Sequence, residues 1–260
     1  MRFGVCTGIA HAHVLAQAGY DYIELSVAGD LMPEAGELEW RARRRVIEAM
    51  PLRPETFNSF VRTARIIGPE ADFAFLRHYV DTALTRAAQV GGHVIVFGSG
   101  GARSIPEGFP RAEAERQMTD FLHLCADASD RTGVIVAIEP LWRAECNFIH
   151  CVREGAEWVR RIGRAGVRCL ADTFHMEQEN EPLSVLLECA DVLAHVHTAD
   201  TDRLAPGTGH YDHSTLFRTL LAARYDRRLS IECHWRNLPE EAGPALDHLR
   251  QACAAARALS

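Results

Sequence analysis

Short apolar runs and longer amphipathic segments alternate along the chain. The short runs are rich in Val, Ile and Leu and predict eight strands, at residues 3–6, 22–26, 55–58, 93–97, 134–138, 168–171, 192–197 and 229–232. The longer segments repeat apolar residues at helical spacing, most clearly at residues 71–89, 113–129, 155–162, 182–189, 215–223 and 240–258. Strands that alternate with helices in this order predict a parallel sheet.

The composition of the strands indicates which kind of parallel sheet is formed. Runs such as HVIVF at residues 93–97 lack polar alternation, as expected of strands covered by helices on one face and packed inside a barrel on the other. The strands recur about every 32 residues, the size of a βα unit, which predicts an α/β fold of the (β/α)8 TIM-barrel type. A doubly wound open sheet is the alternative, but residues 6–13, CTGIAHAH, lack its glycine-rich phosphate turn. Since no linker divides the chain, residues 1–260 are predicted to form a single domain.

Composition and charge narrow the class of protein. Of the 260 residues, 47% are hydrophobic and 24% are charged, as in soluble globular proteins, and no apolar stretch reaches the ~20 residues of a membrane helix. The formal net charge is −7, so neither a nucleic acid nor a membrane is an expected partner. The eight cysteines form no CxxC pair and no secretory signal is evident, which predicts free thiols and a cytoplasmic protein.

Ionisable residues follow or end the last four predicted strands. In chain order they are Glu139, Asp172, His197 and Glu232. Each alone has an ordinary explanation, because an acid after a strand often caps a helix and a histidine in a strand is often a packed core residue. In a barrel, however, the carboxyl ends of all strands open on one face, and such a group would be costly to bury unless a cation neutralised it. The residues therefore predict a site for Mn²⁺, Mg²⁺, Co²⁺ or Zn²⁺, with the oxygen-rich set favouring the harder metals.

The two histidines of the HVH sequence at residues 195–197 have different expected places. They share one strand face because side chains alternate with a period of two. His197 is nearer the carboxyl end and reaches the mouth, whereas His195 lies about 7 Å deeper. His195 is therefore interpreted as a core residue or a support beneath the site.

Five motifs resemble those of one family. They are IEPLWRAE (138–145), DTFHM (172–176), HVHTADTDR (195–203), PGTGH (206–210) and SIE (230–232). Through them, nearly the whole chain is similar to the sugar isomerase/epimerase branch of the xylose-isomerase-like barrels. That branch includes D-tagatose 3-epimerase and other ketose 3-epimerases, with hydroxypyruvate isomerase and inosose dehydratase as more distant members. The resemblance implies a xylose-isomerase-like TIM barrel, a homo-oligomer and a small sugar or polyol substrate.

The resemblance also implies roles for seven residues. One divalent cation, with Mn²⁺ as the expected ion, would be held by the residues that match the family's ligands: Glu139, Asp172, His197 and Glu232. The substrate's hydroxyl and carbonyl oxygens would be bound by Glu145, His175 and Arg203. The catalytic residues would be Glu139 and Glu232.

This set of groups predicts a metal-dependent ketose epimerase or isomerase. A divalent cation on adjacent carbonyl and hydroxyl oxygens stabilises the charge left when a neighbouring C–H proton leaves, which gives a cis-enediolate. One of Glu139 and Glu232 would take the proton from one face, and the other would return it to the opposite face. Expulsion of a β-hydroxyl by the same groups gives the alternative, a metal-dependent lyase or dehydratase of a keto-polyol or 3-keto sugar, similar to inosose dehydratase or a C-glycoside-cleaving subunit.

Three positions depart from the family pattern. Trp142 stands where epimerases commonly have asparagine, His213 stands where an aromatic or aliphatic residue is usual, and His234 is not expected after Glu232. We expect all three to lie where substrates are distinguished.

Two further functions are less favoured. A base-excision endonuclease on the same barrel would need extra histidines after the third and fourth strands, where this chain has Asn-Ser at 58–59 and Gly-Ser at 98–99. It would also need a basic face for DNA, which the net charge of −7 does not favour. A barrel that only binds a sugar or a protein has little need of two glutamates beside one metal.

Overall fold

Eight parallel strands close into a barrel in the computed structural model, which describes residues 1–259. They are β1 (Arg2–Cys6), β2 (Tyr22–Ser26), β3 (Pro54–Asn58), β4 (Val94–Phe97), β5 (Ile135–Ile138), β6 (Val167–Asp172), β7 (Leu193–Thr198) and β8 (Arg228–Ile231). Each strand pairs with the next along the chain, and β8 pairs with β1. Every bound lies within one residue of the predicted one, and the predicted (β/α)8 barrel is confirmed.

Ten α-helices lie in the described part of the chain. They are α1 (Ala12–Ala18), α2 (Glu37–Glu48), α3 (Phe73–Gln89), α4 (Gly100–Arg103), α5 (Arg111–Thr132), α6 (Val152–Ile162), α7 (Thr173–Gln178), α8 (Val185–Glu188), α9 (His213–Ala222) and α10 (Leu238–Ala258). Their apolar faces pack on the outside of the sheet and form the main core with it. No helix within residues 1–259 is long and apolar enough to cross a membrane. The eight cysteines are free thiols.

The predicted helix at residues 182–189 is shorter than expected. Only α8 is helical there, because Asn180 adopts a left-handed φ of 54° and Pro182 has no N–H to donate. Just before it, α7 is an element that the apolar pattern does not predict. Asp172 at the end of β6 caps this helix by accepting a hydrogen bond from the backbone N–H of Phe174.

The interior of the barrel has an apolar part and a polar part. A small apolar cluster, separate from the main core, comes from β4, β5 and β6: Val94, Val96, Ala137 and Leu170. Fully buried polar side chains come from β2, β3, β7 and β8: Glu24, Thr56, His195 and Ser230. The barrel floor is therefore apolar under one portion of the mouth and hydrogen-bonded under the other.

Candidate metal centre and active site

The four ionisable residues of the late strands meet at the carboxyl-terminal mouth of the barrel. One ligand atom from each of Glu139, Asp172, His197 and Glu232 lies within 4.8 Å of the other three. The Nδ1 atom of His197 is 3.1 Å from a carboxylate oxygen of Glu139 and 3.1 Å from one of Glu232. Three carboxylates and one imidazole at these separations form a donor set that suits a divalent cation.

Local backbone contacts hold Glu139 at this point. Its backbone N–H donates to the carbonyl of Phe97 at 3.1 Å, and its own carbonyl accepts from the buried Arg103 guanidinium at 2.7 Å. Arg103 also donates to the Phe97 carbonyl, so one side chain joins the ends of β4 and β5. Gly98 leaves room for the Glu139 carboxylate, because a Cβ at that position would lie 2.3 Å from Glu139 Oε2 and displace it.

The two carboxylate oxygens of Asp172 have different roles, one at α7 and one at the candidate metal centre. Its Oδ1 accepts from the backbone N–H of Phe174 at 2.8 Å, which completes the helix cap. Its Oδ2 faces His175 at 3.6 Å and Arg203 at 3.5 Å. Burial raises the pKa of Asp172, against the opposing effect of the charges on His175 and Arg203.

Arg203 is the positive charge closest to the carboxylates. Its Nη2 donates to Glu232 at 2.7 Å, its Nη1 lies 3.8 Å from Glu145, and its guanidinium stacks over the Phe174 ring at 4.6 Å. Although burial opposes it, the charges of Asp172 and Glu232 raise the pKa of Arg203. Burial likewise opposes ionisation of Glu232, but the charge and hydrogen bond of His197 lower the pKa of Glu232 to about 2. Glu232 is therefore ionised at neutral pH.

Glu24 on β2 supports the imidazole of His197 from below. The Nε2 atom of His197 is 2.9 Å from one oxygen of the fully buried Glu24, and His195 is 2.9 Å from the other. Thr56 and Ser230 donate hydroxyl hydrogen bonds to the same carboxylate, at 2.6 Å and 2.7 Å. Burial would raise the pKa of Glu24, but the neighbouring imidazole charges lower it well below its usual value. A carboxylate on one ring nitrogen fixes the ring so that the other nitrogen, Nδ1, faces the acids.

The sequence pattern did not identify Glu24. The available signal was a single acid inside the otherwise apolar run YIELS at residues 22–26. His195, by contrast, lies where the two-residue period places it, fully buried beneath the mouth against Glu24. Burial lowers the pKa of His195, although the charge and hydrogen bond of Glu24 oppose this.

The three residues expected to bind substrate line one cavity beside the acids. This cavity has a volume of about 400 Å³, and its lining includes Glu145, His175 and Arg203 together with Glu139 and Glu232. The Trp142 indole N–H donates to Glu145 at 2.9 Å, and the Trp142 backbone N–H lies 3.5 Å from the His175 Nδ1. Trp142 therefore orients two of the residues that face the cavity.

A family model described as a xylose isomerase-like TIM barrel matches residues 12–252. The chain belongs to this family.

Individual relatives in the family are sugar epimerases. The chain is 32% identical over 153 residues to 3-dehydro-D-guloside 4-epimerase of Escherichia coli K12, covering 56% of this chain and 58% of the relative. It is 30% identical over 108 residues to a ketose 3-epimerase of Arthrobacter globiformis, covering 41% and 37%. The crystal structure of E. coli 3-keto-D-glucoside 4-epimerase superposes with a TM-score of 0.80 at 23% identity, over 96% of this chain and 99% of that one. The matches to the two sequence relatives thus span less than two thirds of their lengths, and the structural match shows the shared fold.

The three residues that depart from the family pattern, Trp142, His213 and His234, are all absent from the lining of this cavity. His213 is buried behind the mouth, where its Nδ1 is 3.1 Å from Nε2 of His248 on α10, and it lines neither this cavity nor the one beside His234. The expectation that His213 lies where substrates are distinguished is therefore wrong. His234 does line a neighbouring cavity, and its backbone N–H donates to the Arg203 carbonyl at 2.6 Å.

Proposed function

We propose that this protein is a divalent-metal-dependent epimerase of a keto-sugar. The observation that carries the proposal is the convergence of Glu139, Asp172, His197 and Glu232 within 4.8 Å at the edge of a sugar-sized cavity. These four residues would hold the cation, which when bound polarises adjacent carbonyl and hydroxyl oxygens of a substrate. The names of the epimerase relatives support the same type of reaction.

Glu139 and Glu232 are the residues proposed to move the proton. They are the residues directly after β5 and β8, and both line the cavity. One carboxylate removes the proton of the C–H next to the keto group, which gives a cis-enediolate, and the other returns a proton to the opposite face. The ionised state of Glu232 suits the first role, since a base must be deprotonated before it can accept.

Glu145, His175 and Arg203 are proposed to bind the substrate oxygens. Arg203 is cationic and lies 2.7 Å from Glu232, so its guanidinium can donate to an oxygen that becomes negative during proton removal. His175 is buried with its Nε2 3.6 Å from Asp172, which orients the ring next to the cavity. Glu145, tied to the Trp142 indole, can accept from a hydroxyl group.

The native metal ion, the oligomeric state and the cellular location are part of the same proposal. Mn²⁺ is the proposed native ion, because three of the four donors are carboxylates. Metal analysis of the purified protein tests this choice. We also propose a homo-oligomer in the cytoplasm, to be tested by light scattering and by cell fractionation.

Deuterium incorporation tests the reaction. The Mn²⁺-loaded protein is incubated in D₂O with free ketoses, including D-fructose and D-psicose, and with 3-keto-glycosides, and products are followed by NMR. Deuterium at a carbon whose configuration is inverted is the expected result. Label at C1 or C2 with aldose formation would show an isomerase, and loss of water would show the lyase alternative. Absence of exchange with every substrate would refute the proposal.

A further inference from the structure

The mouth of the barrel holds two adjoining cavities. The rear lobe is the cavity of about 400 Å³ described above, and the front lobe is a second one of about 370 Å³. The front lobe is lined in part by residues of the β1, β2 and β8 ends: Thr7, Gly8, Ser26, Asp30, Cys233 and His234. Asn58, Arg203 and Glu232 line both lobes, so they form the boundary between them. Each volume alone falls within the range of ~300–1,000 Å³ for small-ligand sites.

Three of the five proposed catalytic and substrate-binding residues face only the rear lobe. Glu139, Glu145 and His175 line the rear lobe and are absent from the lining of the front lobe. The sugar ring that reacts is therefore placed in the rear lobe, with the reacting carbon near Glu232 at the boundary. A free ketohexose placed in this way leaves the front lobe to water.

The front lobe combines polar side chains with apolar surface and offers no dedicated site for an anion. Its lining includes the hydroxyls of Thr7 and Ser26, the carboxylate of Asp30 and the side chain of His234. Arg203 is its one arginine, and that guanidinium already donates to Glu232. With no lysine and no second arginine in its lining, the front lobe offers a phosphate or carboxylate no cationic partner of its own. A neutral group that carries hydroxyls matches the lining.

We propose that the front lobe binds the second half of a glycoside, so that the substrate is a keto-sugar joined to another neutral, hydroxyl-bearing group. This inference rests on the proposed function. The names of the relatives include both a guloside and free ketoses, so they leave the choice open. The second cavity favours a glycoside over a free ketose, because it adjoins the first at Glu232, one of the two residues proposed to move the proton.

Gly8 offers a way to fill the front lobe alone. Its backbone is extended, with φ −83° and ψ 163°, and no atom lies within 4 Å of an added Cβ. A large side chain is therefore compatible with the backbone, and Gly8→Trp would occupy the front lobe. Gly101 lines the rear lobe and likewise has no atom within 4 Å of an added Cβ, so Gly101→Phe is the matched control.

The experiment compares two substrates that share one keto ring. They are methyl 3-keto-glucoside and a 3-keto-disaccharide with a glucosyl substituent, and kcat/KM is measured for each with the Mn²⁺-loaded protein. The expected wild-type ratio favours the disaccharide by at least about tenfold, or about 1.4 kcal/mol. Gly8→Trp should bring this ratio close to one. Gly101→Phe should lower kcat/KM for both substrates and leave the ratio in place.

Several outcomes would overturn the inference without touching the proposed function. One is an equal kcat/KM of the wild-type protein for the two glycosides. This test does not depend on whether a variant folds. Another is turnover of free ketoses with no turnover of either glycoside. A third is a Gly8→Trp variant that retains the wild-type circular dichroism spectrum, metal content and preference for the disaccharide. Absence of exchange with free ketoses and glycosides alike would remove the proposed function, and the inference with it.

Discussion

The late half of the barrel, β5 to β8, and the early half, β1 to β4, place different side chains at its mouth. Strands β5 to β8 each end on or beside an ionisable residue, and these four side chains meet within 4.8 Å. Strands β1 to β4 end on or beside residues without a full charge: Cys6, Ser26, Asn58 and Gly98. The late half therefore concentrates the charge that a cation would balance, and the early half leaves space for a substrate beside it.

The early half also contributes below the mouth. Glu24 on β2 accepts from Thr56 on β3 and holds His197 on β7 in place, so one early side chain orients a late one. The contrast is thus between groups that would touch the cation and substrate and a group that positions them. Perturbing each half should produce effects of different size and kind.

The largest expected effect comes from the two glutamates of the late half. Glu139→Gln and Glu232→Gln should each lower deuterium exchange by roughly 10³-fold, about 4 kcal/mol, because an amide cannot take or return a proton at neutral pH. Exchange is measured by NMR in D₂O, with circular dichroism to show that the fold is kept. Glu113→Gln, on the exposed face of α5, is the control and should retain exchange. Near wild-type exchange in either mouth variant would remove that residue from proton transfer.

Removal of metal should have the next largest effect, on stability. A ligand at 100 times its Kd stabilises the folded state by about 2.7 kcal/mol, so a chelator should lower Tm and Mn²⁺ should restore it. Asp172→Asn should abolish this response while keeping α7, because asparagine also caps a helix. Differential scanning calorimetry with and without Mn²⁺ measures both. An unchanged Mn²⁺-dependent shift in Asp172→Asn would contradict the proposed ligand set.

A smaller effect is expected from the supporting carboxylate of the early half. Glu24→Gln should weaken Mn²⁺ binding by about 10–100-fold, because loss of a carboxylate behind a ligating histidine typically costs this much. Thr56→Val removes one hydrogen bond to Glu24 and keeps the carboxylate, so it should weaken binding less. Isothermal titration calorimetry gives both affinities. Equal losses in the two variants would show that Glu24 acts through packing and not through His197.

The sequence predicts the late half of the site better than the early half for a physical reason. Ligand candidates at strand ends follow apolar runs, so Glu139 and Asp172 are visible one strand at a time, and the parallel barrel then brings them together. Glu24 lies inside a strand, and its partners on β3, β7 and β8 are far away in the chain. A local pattern contains no sign of contacts at that separation.

The same reasoning explains why the strands were predicted well and why α7 and the position of His213 were not. The eight strands are found to within one residue because each is a dense apolar run. Helix α7 has only six residues, too few for a helical period to show, and its capping residue Asp172 also serves the centre. His213 was misplaced because its partner His248 lies on another helix, 35 residues later.

The smallest expected effect lies outside both halves of the mouth, at His213. Burial and the neighbouring His248 lower the pKa of His213 to about 4, from a usual value of 6.5, while the nearby Asp200 and Asp212 oppose this. Between these two values the unfolded chain binds more protons at this position than the folded one, so stability rises with pH and is lost as pH falls. This residue should contribute a loss of about 0.7 kcal/mol between pH 7 and pH 6.

Replacement of His213 isolates its contribution to the pH dependence of the free energy of unfolding. His213→Phe should flatten the dependence of the free energy of unfolding on pH by this amount, because phenylalanine does not titrate in the same buried space. The buried His195 also has a lowered pKa and remains in the variant, so some slope should persist. Urea unfolding at pH 6 and pH 7 measures the slope, and the exposed His123→Gln on α5 is the control. If His213→Phe and His123→Gln both give the same slope as the wild type, the assignment is wrong. Protonation of His213 would then not contribute to the loss of stability at low pH.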